Sequence, residues 1–522
     1  MKIKKVVVTC LMLAFFAGSV FSQTTVSLCG TIKDASGQAI ADAIVRLGQT
    51  TYDNGFGQAP YMTTTDNSGH YQLGDGKCIV NTIPANNIVR GDAFSRPIFT
   101  NGKVLFSMPQ DNGRVTMNMY DLGGRFVKTV MNSQQSKGNY AVSIDMRGIS
   151  SQFYLLRVTI NGQSSVLRLR PVSRNSAGAT FQKSPEFQTR LEKLAAVMDT
   201  LRATMPGYSI GVMPIQALNG VNDFMLTKNT TWNGDTNAFW GSGYPVATGG
   251  VTYVVLNRTN GTWADSQIYW SIQQNGTKTR LDKQSTVTVT GGGRFYIYID
   301  PNDSNDGHGN AKYFDFVEFA VGNGSINGNN TTRVDGWRLP LQYRIHTATK
   351  DYTRGDVYEM FYQPRKAKFD EFINEVPKEF TGMATQNFAN IYAPHMTAIN
   401  YFNTGGVYAN YFDAYQDSCK AHTPGAPART TAFNIFACAG TLSGSPTWGG
   451  NYNRHVGTLP QAQWCDSTKF YRDYPCSYYS KWCHRRALGN VQYGFPYDDD
   501  CNQSGIVGGV SGVQWFGIAI GW

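Results

Sequence analysis

The chain has 522 residues, of which 55 are glycine, and only 16% of the residues are charged while 13% are aromatic. A chain of this length is too long for a single hydrophobic core and fits about two or three domains. Helical enzymes usually carry more charge and less glycine, so the composition favours β-rich domains with many turns. The formal net charge of +10 is scattered and forms no basic run beyond the amino terminus, which argues against a nucleic-acid partner.

The amino terminus has the pattern of a secretion signal. Lysines within residues 1–5 precede an apolar run at residues 6–20 and a cleavage-like segment ending at residue 23. We therefore expect residues 1–23 to be removed and the mature protein to be secreted to the outside or surface of a bacterial cell. No later run is apolar for long enough to cross a bilayer, so no membrane span is expected.

Nine cysteines include Cys10 within the signal, which leaves eight for the mature chain: Cys29, Cys78, Cys419, Cys438, Cys465, Cys476, Cys483 and Cys501. An even number in an exported protein predicts disulfides. Cys29 and Cys78 are expected to join the two ends of the first domain, whereas pairing among the last six stays open. A metal site is the alternative, but the chain has no CxxC pair.

Residues 24–83 alternate apolar and polar positions between turn signals, which is typical of a small β-sandwich. The segments VSLCGTIKDASGQAIADAIVRL and TTTDNSGHYQL resemble the carboxypeptidase regulatory-like β-sandwich module.

Residues 92–172, which contain VTMNMYDLGGRFVKTV and GNYAVSIDMRG, resemble the β-sandwich modules that serve as secretion tags in some Gram-negative bacteria. Such tags normally lie at a carboxyl terminus, so a spacer role is at least as well supported here as a sorting role. The two modules together would also suit a surface adhesion protein. In that case a chain beginning near residue 209 would be inert on polysaccharide.

Residues 173–208 are expected to form a polar linker followed by one amphipathic helix. The helix is predicted from apolar residues three or four positions apart: Phe187, Leu191, Leu194, Met198 and Leu201. A helix packed on the next domain is the simpler interpretation, because a dimerising coiled coil needs more heptads. A monomer is therefore expected.

Residues 209–522 form the largest predicted unit. Strand patterns at residues 251–257, 266–273, 294–300, 313–321 and 339–345 precede helical patterns near residues 369–376 and 477–488, and a last strand follows at residues 513–522. The whole chain is thus predicted to be mainly β and multi-domain. Its last domain should be a sandwich or barrel with a mixed, disulfide-stapled subdomain inserted before the final strands.

Common catalytic signatures such as GxSxG, HExxH and the P-loop are absent, which excludes several classes of enzyme. Two carboxyls in contrasting settings remain as candidate catalytic groups. Glu318 lies in the strand YFDFVEFAV, where apolar neighbours predict a poorly solvated side chain. Desolvation raises the pKa of a carboxyl and suits a general acid. Asp335 lies in the turn-like segment TTRVDGW, a polar setting that keeps a general base ionised. The structural alternatives are an ion pair for Glu318 and a simple turn role for Asp335.

The segments GGGRFYIYID, YFDFVEFAVGNGSINGNNTTRVDGWRLPLQYRI and YYSKWCHRRALGNVQYGFPYDDDCNQSG resemble glycoside hydrolase family 64, the laminaripentaose-producing β-1,3-glucanases related to thaumatin-like proteins. The resemblance covers about residues 210–522. It implies an inverting endo-hydrolase of β-1,3-glucan such as laminarin or curdlan, which releases short products such as laminaripentaose and needs no cofactor. It assigns the general acid to Glu318 and the general base to Asp335, with the carboxyls about 6.5 to 9.5 Å apart.

The same resemblance identifies Asp498 and Asp499 as candidate ligands for sugar hydroxyls, and the residue types add four further candidate sugar-binding residues, namely Asn323, Thr332, Trp337 and Tyr493. The two aromatic rings can stack on pyranose rings, and the carboxylates can bind hydroxyls. Core packing of the rings and loop capping by the aspartates are the alternatives. Ala320 and Gly322 replace polar residues that family members tend to carry after the glutamate. This departure favours a second interpretation, a non-catalytic glucan-binding protein of the thaumatin-like kind.

The loop at residues 300–307 is rich in aspartate and asparagine, which suggests calcium. Its spacing does not fit an EF-hand, because Tyr313 stands where the bidentate glutamate belongs. A polar loop without a metal ion is therefore the preferred interpretation.

Overall fold

The computed structural model describes residues 26–74, 97–100, 103–108, 111–121, 125–144, 154–169, 181–183, 199–215, 218–273, 276–299, 313–396 and 400–522. Four predicted features lie outside these residues: the secretion signal, Cys78, the loop at 300–307 and the helical pattern up to residue 198. In the described part of the chain, no helix is long and apolar enough to cross a membrane.

Two four-stranded sheets form the first sandwich. In one sheet, the central strand β1 (Ser27–Asp34) pairs with β4 (His70–Leu73), β15 (Asn219–Val221) and β16 (Phe224–Leu226). The other has the order β14 (Gly211–Pro214), β13 (Thr200–Thr204), β2 (Ile44–Asp53) and β3 (Gln58–Thr64). The chain therefore leaves this sandwich after β4 and returns to it at β13.

The return of the chain corrects two expectations for residues 173–208. Leu201 lies in β13 and pairs with Leu47 of β2, so the predicted helix does not extend through it. Leu201 and Ala203 are both fully buried, which is the two-residue period of a strand. The boundary expected at residue 209 also differs from the structure, because β14 to β16 belong to the first sandwich.

The second sandwich is inserted between β4 and β13. Its sheets have the orders β11-β10-β7-β8 and β12-β9-β6-β5. The strands are β5 (Ile98–Thr100), β6 (Lys103–Met108), β7 (Gly113–Asp121), β8 (Phe126–Gln135), β9 (Gly138–Ser143), β10 (Tyr154–Ile160), β11 (Gln163–Leu169) and β12 (Phe181–Lys183). Since β12 pairs with β9, this sandwich extends beyond the end expected at residue 172.

The third sandwich packs a five-stranded sheet, β20-β17-β29-β25-β26, on a six-stranded sheet, β19-β18-β21-β22-β23-β28. A two-stranded ribbon, β24-β27, lies beside them. The strands are β17 (Val251–Asn257), β18 (Ile268–Ile272), β19 (Thr279–Arg280), β20 (Thr286–Val289), β21 (Gly291–Ile299), β22 (Tyr313–Gly322), β23 (Ser325–Asn330), β24 (Gly336–Trp337), β25 (Leu341–Thr347), β26 (Asp351–Gly355), β27 (Ile391–Tyr392), β28 (Val510–Ser511) and β29 (Val513–Ile520). The predicted β-sandwich is confirmed, and the described residues form no closed barrel.

A helical subdomain (residues 359–485) lies between β26 and β28, as predicted. Its helices, together with a short one before β17, are Thr236–Trp240, Glu359–Tyr362, Arg365–Glu375, Lys378–Thr381, Asp413–His422, Ala432–Ala437, Pro446–Arg454 and Tyr478–Arg485. Ser477 caps the last helix by accepting a hydrogen bond from the backbone N–H of Ser480. The buried rings of Phe369, Phe372 and Trp482 form part of the core.

The cysteines follow the disulfide prediction only in part. Cys465 and Cys501 are bonded, and Cys29 is also in a disulfide. The prediction is wrong for four others, which are free and buried: Cys419, Cys438, Cys476 and Cys483. They are packed as small apolar side chains, and burial raises the pKa of every one of these thiols.

The first sandwich docks directly on the helical subdomain. Arg46 donates to the backbone carbonyl of Asn374, at the carboxyl end of the helix Arg365–Glu375, where a cation is favoured. At the tip of the β2-β3 hairpin, the ring of Phe56 meets that of Tyr415 edge-on at 5.5 Å. The module is therefore a packed part of the same folded unit.

Candidate active site

Glu318 lies near the middle of β22, in the six-stranded sheet. Val317, Phe319 and Val321 of the same strand point into the sandwich core. Because side chains alternate along a strand, Glu318 lies on the opposite face. The antiparallel register places Arg294 of β21 on one side of Glu318 and Asn330 of β23 on the other.

Both oxygens of the Glu318 carboxyl accept hydrogen bonds. Arg294 donates to Oε1 from Nε at 3.0 Å and from Nη2 at 2.9 Å, while the amide of Asn330 donates to Oε2 at 3.1 Å. The side chain of Glu318 is 34% exposed, so the expectation of a poorly solvated carboxyl is wrong. The ion pair anticipated as the structural alternative is present, but on a face open to solvent.

Asp335 lies in the bend that follows β23, and its side chain is 47% exposed. The polar, turn-like setting expected from its neighbours is what the structure has. The imidazole Nε2 of His395 lies 4.0 Å from Asp335 Oδ1. Asp335 therefore has an accessible carboxyl with the imidazole of His395 beside it.

Tyr493 lies beside the segment that leads from Asn330 to Asp335. It pairs with Thr332, and its carbonyl accepts a 2.7 Å hydrogen bond from the backbone N–H of Arg333. Its hydroxyl donates to Asp499 Oδ1 at 3.3 Å. Burial, then Asp499, and to a smaller extent Glu318 raise the pKa of Tyr493. Asn330, which donates a hydrogen bond to Glu318, precedes Thr332 by two residues. Asp335 follows Thr332 by three residues.

The buried side chain of Arg333 fixes the segment between Thr332 and Asp335 to the protein interior. Its guanidinium is fully buried and forms ion pairs with Asp315 and, at 2.7 Å, with Asp356. Although burial acts to lower it, the two carboxylates hold the pKa of Arg333 above its ordinary value. The carbonyl of Arg333 also accepts a hydrogen bond from the hydroxyl of Tyr479 in the helical subdomain. The backbone that presents Asp335 is therefore held on both sides.

Two residues predicted to bind sugar are buried instead. Trp337 is 0% exposed, donates from Nε1 to Asp356 Oδ2 at 3.3 Å and packs edge-on against Trp482. Asp498 is also 0% exposed and accepts hydrogen bonds from Arg454 and His484, each at 2.8 Å. Although burial acts to raise it, these two partners hold the pKa of Asp498 below its ordinary value. The alternatives, core packing and loop capping, fit both residues.

The other predicted sugar-binding residues lie at the surface or near it. Asn323 is exposed at the turn between β22 and β23, Asp499 is exposed, and Thr332 is buried except for 6% of its surface. Ala320 and Gly322 share the face of Glu318 and are partly exposed. They leave this strip of the sheet without side-chain hydrogen-bonding groups.

Three residues of the area were missed from the sequence: Arg294, Asn330 and His395. The first two meet Glu318 only through strand register, and the third through the ribbon β24-β27. The alternation in β21 was the available signal, because it predicts a charged Arg294 on the outer face. Within the described residues, no group of three or more His, Cys, Asp or Glu side chains could hold a metal ion.

Comparison with known proteins identifies one family. Residues 434–515 match the family model of glycoside hydrolase family 64, described as β-1,3-glucanase. No curated protein sequence matches the chain.

Two solved structures are similar to this protein. One is a family 64 β-1,3-glucanase domain from Clostridium beijerinckii, with 22% identity, 54% of this chain and 100% of that chain covered, and a TM-score of 0.46. The other is a laminaripentaose-producing β-1,3-glucanase from Paenibacillus barengoltzii, with 19% identity, 83% and 100% covered, and a TM-score of 0.45. The family match over residues 434–515, which include Tyr493 and Asp499, confirms that this chain resembles the β-1,3-glucanases of glycoside hydrolase family 64.

Proposed function

We propose that the protein hydrolyses β-1,3-glucan, with Glu318 as the general acid and Asp335 as the general base. The observation that carries the proposal is the Glu318 carboxyl, held by Arg294 and Asn330 on an accessible sheet face. The family match supports it, since residues 434–515 include Tyr493, which pairs with Thr332 in the segment that leads to Asp335. The substrate is proposed to lie across these residues.

A general acid must carry a proton, yet both Glu318 oxygens accept hydrogen bonds in the free protein. A bound sugar is therefore proposed to displace Arg294 from Oε1, so that Oε1 carries the proton toward the glycosidic oxygen. Asn330 would keep Oε2 in place during this change. Desolvation by the sugar acts in the same direction, because it disfavours the charged form of a carboxyl.

Asp335 is proposed to take a proton from water on the opposite face of the sugar ring. The water oxygen then bonds to the anomeric carbon while the bond to the leaving oxygen breaks, which inverts the configuration. We also propose that the protein is secreted, acts as a monomer and releases short oligosaccharides such as laminaripentaose.

The test is release of reducing sugar from laminarin and curdlan by the wild type, Glu318→Gln and Asp335→Asn. Each variant should lose activity by about 10²-fold or more, because each removes one proton-transfer group. Asp282→Asn, which alters an ion pair on the surface, is the matched control and should keep full activity. Proton NMR of the first product should show the α-anomer. A wild type without turnover on either glucan would refute the proposal.

A second candidate is glucan binding without hydrolysis. The Arg294–Glu318 ion pair favours it, because a carboxylate neutralised in this way is not poised to donate a proton. The strip at Ala320 and Gly322, which lacks polar side chains, favours it as well. Retention of the wild type on insoluble curdlan, without sugar release, would select this candidate.

A further inference from the structure

We infer that His395 is a positioning residue for Asp335, donating a hydrogen bond from Nε2 to Oδ1 so that Oδ2 faces the reacting water. The inference rests on the proposed function, in which Asp335 is the base. Its geometric basis is the 4.0 Å separation of His395 Nε2 and Asp335 Oδ1. In the described part of the chain, no other side chain of opposite charge lies within ion-pair distance of this carboxylate.

The ribbon β24-β27 brings the two side chains together. Gly336 pairs with Tyr392, and Trp337 pairs with Ile391. The backbone N–H of Ala393 then donates to the carbonyl of Asp335 at 3.4 Å. Backbone pairing with β27 therefore holds the bend that carries Asp335, and the same strand leads on to His395. The positions of the two side chains are fixed by this backbone pairing.

The close approach of β24 and β27 requires a glycine at position 336. Gly336 has a φ of +149°, and a Cβ at this position would lie 2.9 Å from the carbonyl oxygen of Ile391. A side chain here would push the two strands of the ribbon apart. The residue after Asp335 therefore allows the close approach that places His395 beside the carboxylate.

The imidazole is mostly enclosed, whereas the carboxylate is open. The side chain of His395 is 14% exposed and that of Asp335 is 47% exposed. Burial lowers the pKa of His395, and the carboxylate of Asp335 partly opposes this effect. A neutral imidazole at neutral pH can donate from Nε2 without neutralising the base. The 4.0 Å separation exceeds hydrogen-bond length, and such contacts often tighten only when substrate binds.

The first test does not depend on activity. Imidazole NMR of the full mature chain follows the titration of His395, which is assigned from the signal that disappears in His395→Gln. Asp335→Asn should lower the pKa of His395 measurably, since it removes the carboxylate that raises it, while Asp282→Asn, on the surface, should leave the titration of His395 unchanged. An unaltered titration of His395 in Asp335→Asn would overturn the inference whether or not the protein hydrolyses glucan.

The second test is kinetic. His395→Phe keeps a ring but removes the donor, and we expect kcat on laminarin to fall by about tenfold or more with KM within about twofold. His395→Gln, whose amide can replace Nε2–H, should restore most of kcat. His346→Phe is the matched control, because His346 pairs with Asp351 in the five-stranded sheet. Full kcat in His395→Phe would refute the positioning role and leave the proposed function intact. Inactivity of the wild type would refute the function and with it the role of His395 in positioning a base, and the NMR titration would then report only on the contact between the two side chains.

Discussion

Arg333 is a buried residue that supports the segment carrying Asp335, and we expect its replacement to destabilise the fold around the candidate site. Its side chain is 0% exposed, and its two partners, Asp315 and Asp356, are each 1% exposed. Arg333→Met keeps the volume but leaves two carboxylates facing each other in the core. Removing one partner of a buried ion pair typically costs about 3–5 kcal/mol. For a domain of this size that corresponds to a fall in Tm of about 10 °C.

The assay is thermal unfolding followed by tryptophan fluorescence at several pH values. Burial raises the pKa of Asp356 even with Arg333 present, so its contribution to stability is lost as pH rises. Without the guanidinium, the loss should be larger at pH 8 than at pH 4, where the carboxylates can take up protons. Arg280→Met breaks an ion pair on the surface with Asp282 and should leave Tm unchanged. The reasoning fails if both variants unfold at the same temperature.

Three further predictions concern stability. Burial raises the pKa of Glu371 from 4.5 to about 7, so its stabilising effect is complete below pH 4.5 and is lost as pH rises through about 7. Glu371→Gln should flatten this fall in Tm with pH, and an equally steep fall in the variant would contradict the prediction. Cys501→Ser opens a disulfide spanning 36 residues and should cost about 4 kcal/mol, measured by urea unfolding against Cys419→Ser, a free buried thiol. A chain beginning at residue 209 should unfold at a lower temperature than a chain lacking only residues 75–198, because it loses β1 to β4, β13 and the Arg46 contact. Equal unfolding temperatures would show that the first sandwich adds no stability.

Local pattern was enough to predict the long strands of the third sandwich and two helices of the helical subdomain, but not the helices Asp413–His422, Ala432–Ala437 and Pro446–Arg454. The alternation in YFDFVEFAV and the three-to-four spacing of Phe369, Phe372 and Val376 reflect one buried face of a strand and of a helix. The same reasoning wrongly assigned Leu201 to a helix. Its short apolar segment fits the period of a helix and that of a strand, and only the pairing of β13 with β2 decides between them.

Contrasting local settings and the family resemblance nominated Glu318 and Asp335, but the expected desolvation of Glu318 is wrong, because its side chain is 34% exposed. Which groups surround them depended on tertiary structure. Arg294 and Asn330 reach Glu318 through strand register, and His395 reaches Asp335 across sixty residues through a two-stranded ribbon. The burial of two predicted sugar-binding residues could not be predicted from local sequence pattern either. Trp337 and Asp498 have the residue types of a sugar site, but Asp356, Arg454 and His484 satisfy their polar atoms in the interior, because a buried polar group needs a partner that only the folded chain can supply.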